Sequence, residues 1–365
     1  MKIELHLLQN FAPSNLNRDD SNNPKDCDFG GVRRARISSQ CMKRAIRFDP
    51  AFSEATRVPP SDRSRLIITR LAGALQEKGL PFEDALNKAS EFARYYSSKK
   101  GTLDAKNKLQ TLVLLFISKE DIENITRLLL EVKSIVEVKE VAENYAKTHQ
   151  YKTSAPDIAM FGRMLADRPE TNLDAACQVA HAISTHKVNM EFDFFTAVDD
   201  LQKQSDSGAG MMGVIGYNSA CFYRYACIDY EQLVKNLDAD HEMANKSVEG
   251  FLRASVSAIP TGKQNSFAAN NPPSFMMAVA REDNASWSLA NAFEKPVTAY
   301  ENSLLGNSIK ALDSYWGKLA SFYGEPEKIV VGGVDAEPYL DVLKPYMVSP
   351  FETWINNIID HLPRG

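Results

Sequence analysis

Gly30-Gly31-Val32-Arg33-Arg34-Ala35-Arg36-Ile37-Ser38-Ser39-Gln40-Cys41-Met42-Lys43-Arg44-Ala45-Ile46-Arg47 gathers six Lys or Arg and no Asp or Glu. The 365-residue chain carries a formal charge of −5, so without these six cations it would stand at −11. An acidic protein that concentrates positive charge in one short segment points first to a polyanionic partner. The segment also has a shape. Gly30 and Gly31 can turn the chain where other residues would be strained. Arg33, Arg34 and Arg36 then read as extended or loop. Ser38 or Ser39 can cap a helix by accepting a backbone N–H bond. Beyond the cap, Cys41, Met42, Ala45 and Ile46 recur at helical spacing and form an apolar face. Gln40, Lys43, Arg44 and Arg47 fall largely on the other faces. A helix N-terminus with hydroxyls and guanidinium forks beside it suits phosphate. The plainer reading is a solvated basic helix beside a loop.

Working outward, hydrophobic residues make up 44% and charged residues 24%, the proportions of an ordinary globular protein. At this length a core domain with insertions is expected. No apolar run is long enough to cross a bilayer, and Met1-Lys2-Ile3-Glu4-Leu5-His6 lacks the apolar region of a signal peptide. The five cysteines form no Cys-x-x-Cys, so reduced cysteines in a cytoplasmic protein are expected.

Ile3, Leu5 and Leu7 alternate with Lys2, Glu4 and His6, which predicts a half-buried first strand. A polar loop from Phe11 to Phe29 contains Leu16-Asn17-Arg18-Asp19-Asp20. Pro59-Pro60 marks a break, after which 61–150 reads as mostly helical, an insertion in the core domain. Ile158 to Met164 is short and apolar and reads as a buried strand. Val179 to Val188, with His181 and His186, also reads as strand. Phe192, Phe194 and Phe195 then cluster ahead of the acidic pair Asp199-Asp200 and a glycine-rich tip from Gly208 to Gly216. Cys221 to Ile228 is an aromatic-rich strand, so 192–226 is a long excursion between two strands. A helix is expected around 230–256, a polar turn at Thr261 to Ser266, a strand at Phe275 to Ala280, and helices near 303–323 and 350–362. The whole is α+β.

Asp19-Asp20 could hold a divalent metal for phosphodiester cleavage, but no further acids converge at a telling spacing. Loop capping or pairing with Arg18 is the plainer role. His181 and His186 are five apart with no intervening His-Glu-x-x-His pattern, and read as strand or interface histidines. Phe222, Tyr223 and Tyr225 lack the ribonucleoprotein signature of single RNA-recognition modules and read as core.

Several segments occur together in one order: Leu16 to Asp20, Gly30 to Gln40, Phe161-Gly162-Arg163-Met164, Ala180 to His186, Phe195-Thr196-Ala197-Val198-Asp199-Asp200, Tyr223 to Ala226, and Ala290 to Lys295. In this the chain resembles the CasC family, the backbone subunit of the type I-E CRISPR surveillance complex Cascade. The resemblance spans nearly the whole chain and is weakest over 61–150.

It implies a palm with an RNA-recognition-like, ferredoxin-type sheet, a helical fingers insertion and a long thumb loop. The palm would take 1–60, 151–191 and 227–365, the fingers 61–150 and the thumb 192–226. Copies would stack head to tail along CRISPR RNA beside other Cascade subunits, each thumb folding over RNA on the next copy. The guide bases would pair with a target DNA strand. Neither cofactor, metal nor membrane is implied.

By position, the resemblance carries RNA-backbone contacts onto Arg18, Lys25, Ser38, Gln40, Lys43, Arg47 and Lys263. The neighbouring cations Arg33, Arg34, Arg36, Arg44 and Arg163 join these as candidates. Met164 would wedge against a base, and Phe195 and Thr196 would lie at a displaced nucleotide. Val32 stands where a relative has Lys, so that single contact is not carried over. Related subunits of type III complexes cut RNA with a loop aspartate. That is not a property of the type I-E branch, so Asp19 and Asp20 are expected to be structural and the protein non-catalytic. The alternatives are a metal-dependent ribonuclease using Asp19 and Asp20, or a free-standing single-stranded RNA binder.

Overall fold

The computed structural model describes residues 1–197, 211–283 and 285–364. The chain opens on strand β1 (Lys2–Ser14), then β2 (Asp26–Phe29), β3 (Val32–Ile37) and helix α1 (Ser39–Arg47). A mostly helical stretch follows: α2 (Pro50–Thr56), β4 (Asp62–Ser64), α3 (Ile67–Glu77), α4 (Phe82–Ser97), β5 (Leu115–Ile117), α5 (Lys119–Glu131), α6 (Ile135–Thr148) and α7 (Pro156–Phe161). Strands return as β6 (Cys177–Val179), β7 (Ala182–Ser184), β8 (Glu191–Ala197) and β9 (Met211–Asp229). The remainder is α8 (Tyr230–Asn236), α9 (His241–Ser257), α10 (Gln264–Phe267), β10 (Phe275–Arg281), α11 (Leu304–Tyr323), β11 (Lys328–Gly333) and α12 (Phe351–Ile359). The fold is α+β, as expected.

Two compact units share the chain. The first comprises 1–49, 179–227 and 251–362; the second comprises 50–178, 228–250 and the chain end. The first is built on a sheet ordered β11-β10-β1-β9-β7-β3-β2. Its middle strands, β10-β1-β9-β7, are met along the chain as β1, α1, β7, β9, α9 and β10. That succession and spatial order are those of a ferredoxin-like β-α-β-β-α-β unit. The pairs β1–β10, β10–β11, β3–β7 and β7–β9 run antiparallel.

Both faces of this sheet are covered. Leu5 and Leu7 of β1 share a small crevice with Met42 and Ile46 of α1 and with Phe251. Leu8, Met277 and Val279 pack with Ile309, Leu312 and Trp316 of α11. The first strand is therefore buried on both sides rather than half-buried, and Glu4 and His6 are fully enclosed. A buried carboxylate needs partners. Glu4 Oε1 accepts from Arg281 Nε (2.9 Å), and Glu4 Oε2 accepts from the Trp287 backbone N–H (3.2 Å). The Arg281 guanidinium lies 3.5 Å from the Trp287 ring centroid. Leu289 N–H donates to the Tyr223 hydroxyl, which faces His6 Nδ1 at 2.9 Å.

In the second unit, α3 to α6 enclose a core that includes Leu71, Leu75, Phe92, Ile125, Leu129 and Tyr145. The small β4–β5 pair carried no signal in the sequence. Ser118 and Asp121 form a capping box on α5, and Asp121 also accepts from the Tyr145 hydroxyl at 2.6 Å.

Two sequence expectations are corrected here. Ile158 to Met164 is not a strand. Pro156 starts α7, and Gly162 ends it at a φ of +77°. A short apolar run buried all round has no periodicity to reveal its type. The single helix expected over 230–256 is two, α8 and α9, separated where Asp238 and Ala239 take positive φ. The first strand, the strand at 275–280 and the two closing helices stand where the sequence put them.

Candidate nucleic-acid interface

β2 and β3 form a hairpin whose two-residue loop is Gly30-Gly31, both at positive φ (60° and 75°). Such a turn matches the twist of the flanking strands and favours glycine at both positions. Gly30 has a second constraint: a Cβ there would overlap the Glu294 carbonyl oxygen. Arg34 makes the same junction. Its Nε donates to Phe29 O (3.1 Å), Nη1 to Ser184 O (3.1 Å), and Nη2 to Phe293 O (2.7 Å) and Glu294 O (3.2 Å). Arg34 is fully buried, and these carbonyls take up its guanidinium. Its placement is that of an internal clamp joining the hairpin to 289–294, not of a phosphate contact.

Arg33 and Arg36 point elsewhere. Exposed Arg33 pairs with Asp26 at 2.8 Å. Arg36 Nε donates to Asp26 O (3.1 Å), and Nη1 donates to His181 Nδ1 (3.1 Å).

Ser38 is the cap of α1, its hydroxyl accepting from Cys41 N–H at 3.3 Å. Ser38 N–H in turn donates to Asn17 Oδ1 (2.8 Å), and Lys25 N–H donates to Asn17 O (2.8 Å). One asparagine thus fixes the 15–25 loop against the helix start. Asn15 Nδ2 extends the tie to Asn22 O and Gly216 O, both at 2.9 Å. Met42 and Ile46 are buried as the apolar stripe requires, and Gln40 and Arg44 are exposed. Lys43 is half-buried. Arg47 is buried, its guanidinium 5.2 Å from the Phe48 ring, and so departs from the outward face expected of it.

A cleft of about 370 Å³ opens between the 16–22 loop, α1 and Pro260–Gly262, with Arg18 and Arg44 on its walls. Gly262 sits where a Cβ would collide with the Leu16 carbonyl, which brings the two loops together. Lys263 follows in the left-handed region (φ 50°), uncommon for a non-glycine residue and frequent at functional loops. Asp19 Oδ1 accepts from the N–H groups of Ser21 and Asn23, both at 2.9 Å, the loop-capping role. Arg18, Lys25, Ser38, Gln40, Arg44 and Lys263 therefore share one region of the first unit.

The histidines take different roles. His186 Nδ1 donates to Lys187 O (2.8 Å), while Nε2 accepts from Cys221 N–H (3.2 Å). Burial holds it below the usual histidine pKa, with Arg34 adding to the effect, so it is a neutral structural residue. His181 is exposed. Burial of part of its ring, then Arg36 and Lys25, lower its pKa too.

The 192–226 excursion begins as an antiparallel hairpin of β8 and β9 that pairs Phe192 with Gly216, Phe194 with Val214 and Thr196 with Met212. Directly opposed residues share a face. Phe192, Phe194, Met212 and Val214 are each more than 60% exposed, an apolar ladder that the described residues leave open. Phe195 is on the other face, half-buried over Gly213. Thr196 is exposed. Asp199, Asp200 and the start of the glycine-rich tip lie outside the described residues.

Arg163 and Met164 belong to the second unit. Arg163 is buried, its Nε donating to Thr171 O at 2.8 Å, and its backbone pairs with Leu173 in both directions. Asn172 Oδ1 accepts from Leu165 N–H at 2.6 Å. This clamp leaves Met164 between two fixed neighbours and 83% exposed. Arg163 thus positions the turn, and Met164 is what the turn presents.

Sequence reasoning missed Asn17 and the β9 half of the apolar ladder. The alternation Phe192, Phe194, Thr196 was the available signal for the ladder.

Among the described residues, no helix is long and apolar enough to cross a membrane. No curated protein matches the chain. A chain of a solved structure described as "CRISPR RNA-guided surveillance complex, pre-nicking" is similar at 28% identity, with 99% of each chain covered and a TM-score of 0.86. A chain of another, described as "CRISPR RNA-guided surveillance complex", is similar in fold, at 22% identity, 99% coverage of each chain and a TM-score of 0.73. The family model described as CT1975-like protein matches residues 3–340. That span is most of the chain, which therefore belongs to the family of CT1975-like proteins.

Proposed function

We propose that this protein is the non-catalytic, CRISPR-RNA-binding backbone subunit of an RNA-guided surveillance complex of the type I-E Cascade kind, the role of CasC. It works in the cytoplasm beside other subunits and further copies of itself. The observation that carries the reading is the cleft beside α1, walled by Arg18 and Arg44 and by the Pro260–Gly262 loop that leads into Lys263, in an otherwise acidic chain. The full-length similarity to a surveillance-complex chain supports it. Cations hold phosphates without reading bases. The bases stay available to pair with target DNA, the division of labour of RNA-guided recognition.

Assembly follows from the ladder of Phe192, Phe194, Met212 and Val214. Exposed apolar patches of this kind mark interaction sites. In this reading the ladder covers RNA and surface on the next copy. Each side chain buried there contributes about 1.5–3 kcal/mol. Changing all four to Ser should leave the monomer folded and shorten the assemblies formed on long RNA, read by particle mass. Assemblies of wild-type mass would count against the proposal.

Asp19 spends Oδ1 on two backbone N–H groups, which suits a turn and not a metal. Labelled RNA incubated with the purified protein and magnesium should stay intact. Cleavage that disappears in Asp19→Ala would overturn the non-catalytic role and favour a ribonuclease.

A further inference from the structure

Arg34, Arg224 and Arg281 are all buried in the first unit. Arg34 gives its N–H groups to four carbonyl oxygens, and Arg281 meets Glu4. Arg224 has neither kind of company. Among the described residues its guanidinium finds one acceptor, Gln9 Oε1 at 2.6 Å, and that amide is neutral. Burial lowers the pKa of Arg224 to about 10, with no acid near enough to offset the effect. A buried cation left without an anion costs stability. Strand alternation decides where the side chain goes. Tyr223 packs towards α11, so Arg224 points to the opposite face, over the neighbouring strand β1. There it lines the crevice of about 20 Å³ that Leu5, Leu7, Met42, Phe251 and Ser255 also line. Ser255 Oγ is buried and has no hydrogen-bond partner among the described residues. No carboxylate lines the crevice, and Arg224 is the one charged residue on its wall.

We propose that this crevice binds one chloride ion, held by the Arg224 guanidinium and the Ser255 hydroxyl between the sheet and helices α1 and α9. The volume admits a single water or a monatomic ion and is too small for phosphate or a carboxylate side chain. Charge decides between the two. A water would leave the guanidinium unpaired, whereas a halide neutralises it in apolar surroundings, where the attraction is least weakened. The serine hydroxyl rotates to donate to the ion. Met42 and Ile46 on the wall belong to α1, so the ion also steadies the helix that presents Gln40 and Arg44.

The test is urea unfolding of the full chain in sodium chloride, with sodium gluconate exchanged for it at constant ionic strength. Gluconate is too large for the crevice, and a fixed ionic strength removes general screening. Above the dissociation constant, each tenfold rise in chloride should raise the folding equilibrium constant about tenfold. Bromide should act as chloride does. Arg224→Met should abolish the dependence, and Ser255→Ala should shift it to higher chloride. If Arg224→Met fails to fold, Ser255→Ala still carries the comparison. Crystals grown in bromide should show an anomalous peak within hydrogen-bond distance of both side chains. Equal stability in chloride and gluconate would overturn the proposal. So would a chloride dependence unchanged in Ser255→Ala, which would mean adventitious ions on the surface only, or bromide crystals with no peak in the crevice, which would mean a water there.

Discussion

Glu4→Ala should cost about 3–5 kcal/mol of folding stability, the usual result of removing one partner from a buried ion pair. Glu4 and Arg281 sit on neighbouring strands and are both enclosed, 2.9 Å apart. Without the carboxylate, the guanidinium is left among Trp287 and Trp316, with half-exposed Asp283 at 3.8 Å as a weak substitute. The Trp287 N–H loses its acceptor as well. The double variant Glu4→Leu with Arg281→Met removes both charges, so its loss should fall well short of the two single losses added together. Thermal or urea unfolding of the three variants measures this. Fully additive losses would mean that the two residues do not act as a pair.

The same pair shows why part of the fold was hidden in the sequence. Lys2, Glu4 and His6 alternate with apolar residues as on a strand with one wet face. That face is covered by α11, about three hundred residues further along, and nothing near β1 announces it. Local signals did better where local physics decides. Gly30-Gly31 gave the turn because a tight turn needs positive φ, but Asp26–Phe29 before it read as loop and is strand β2. Ser38 gave the helix start because its hydroxyl accepts from a first-turn N–H that has no partner within the helix. The stripe of Met42 and Ile46 gave the buried face of α1.

The candidate site was legible in composition more than in geometry. Arg33, Arg34 and Arg36 look alike in sequence. Arg34 turned inward because 289–294 supplies carbonyl oxygens for it, a partner that only tertiary structure provides. Arg47 is buried with its guanidinium beside the Phe48 ring, a placement that the helical spacing of α1 does not reveal. Lys263 and Arg18 came together through the close approach of Gly262 to Leu16, which no periodicity records.

Replacing Arg18, Arg44 and Lys263 by Ala should weaken RNA binding strongly at low salt and about equally for any sequence. None of the three is buried, so stability should change little. If each meets one phosphate, binding releases the counterions that phosphate had condensed. Log K for a single strand then falls with log salt at about −0.7 per phosphate neutralised. The direct measurement is a salt titration of wild type and the triple variant on two unrelated RNAs, with assembly held fixed. The account predicts a slope flattened by about 2 per protein copy on both RNAs. An unaltered slope would contradict it, and would leave the cleft beside α1 a solvated basic surface.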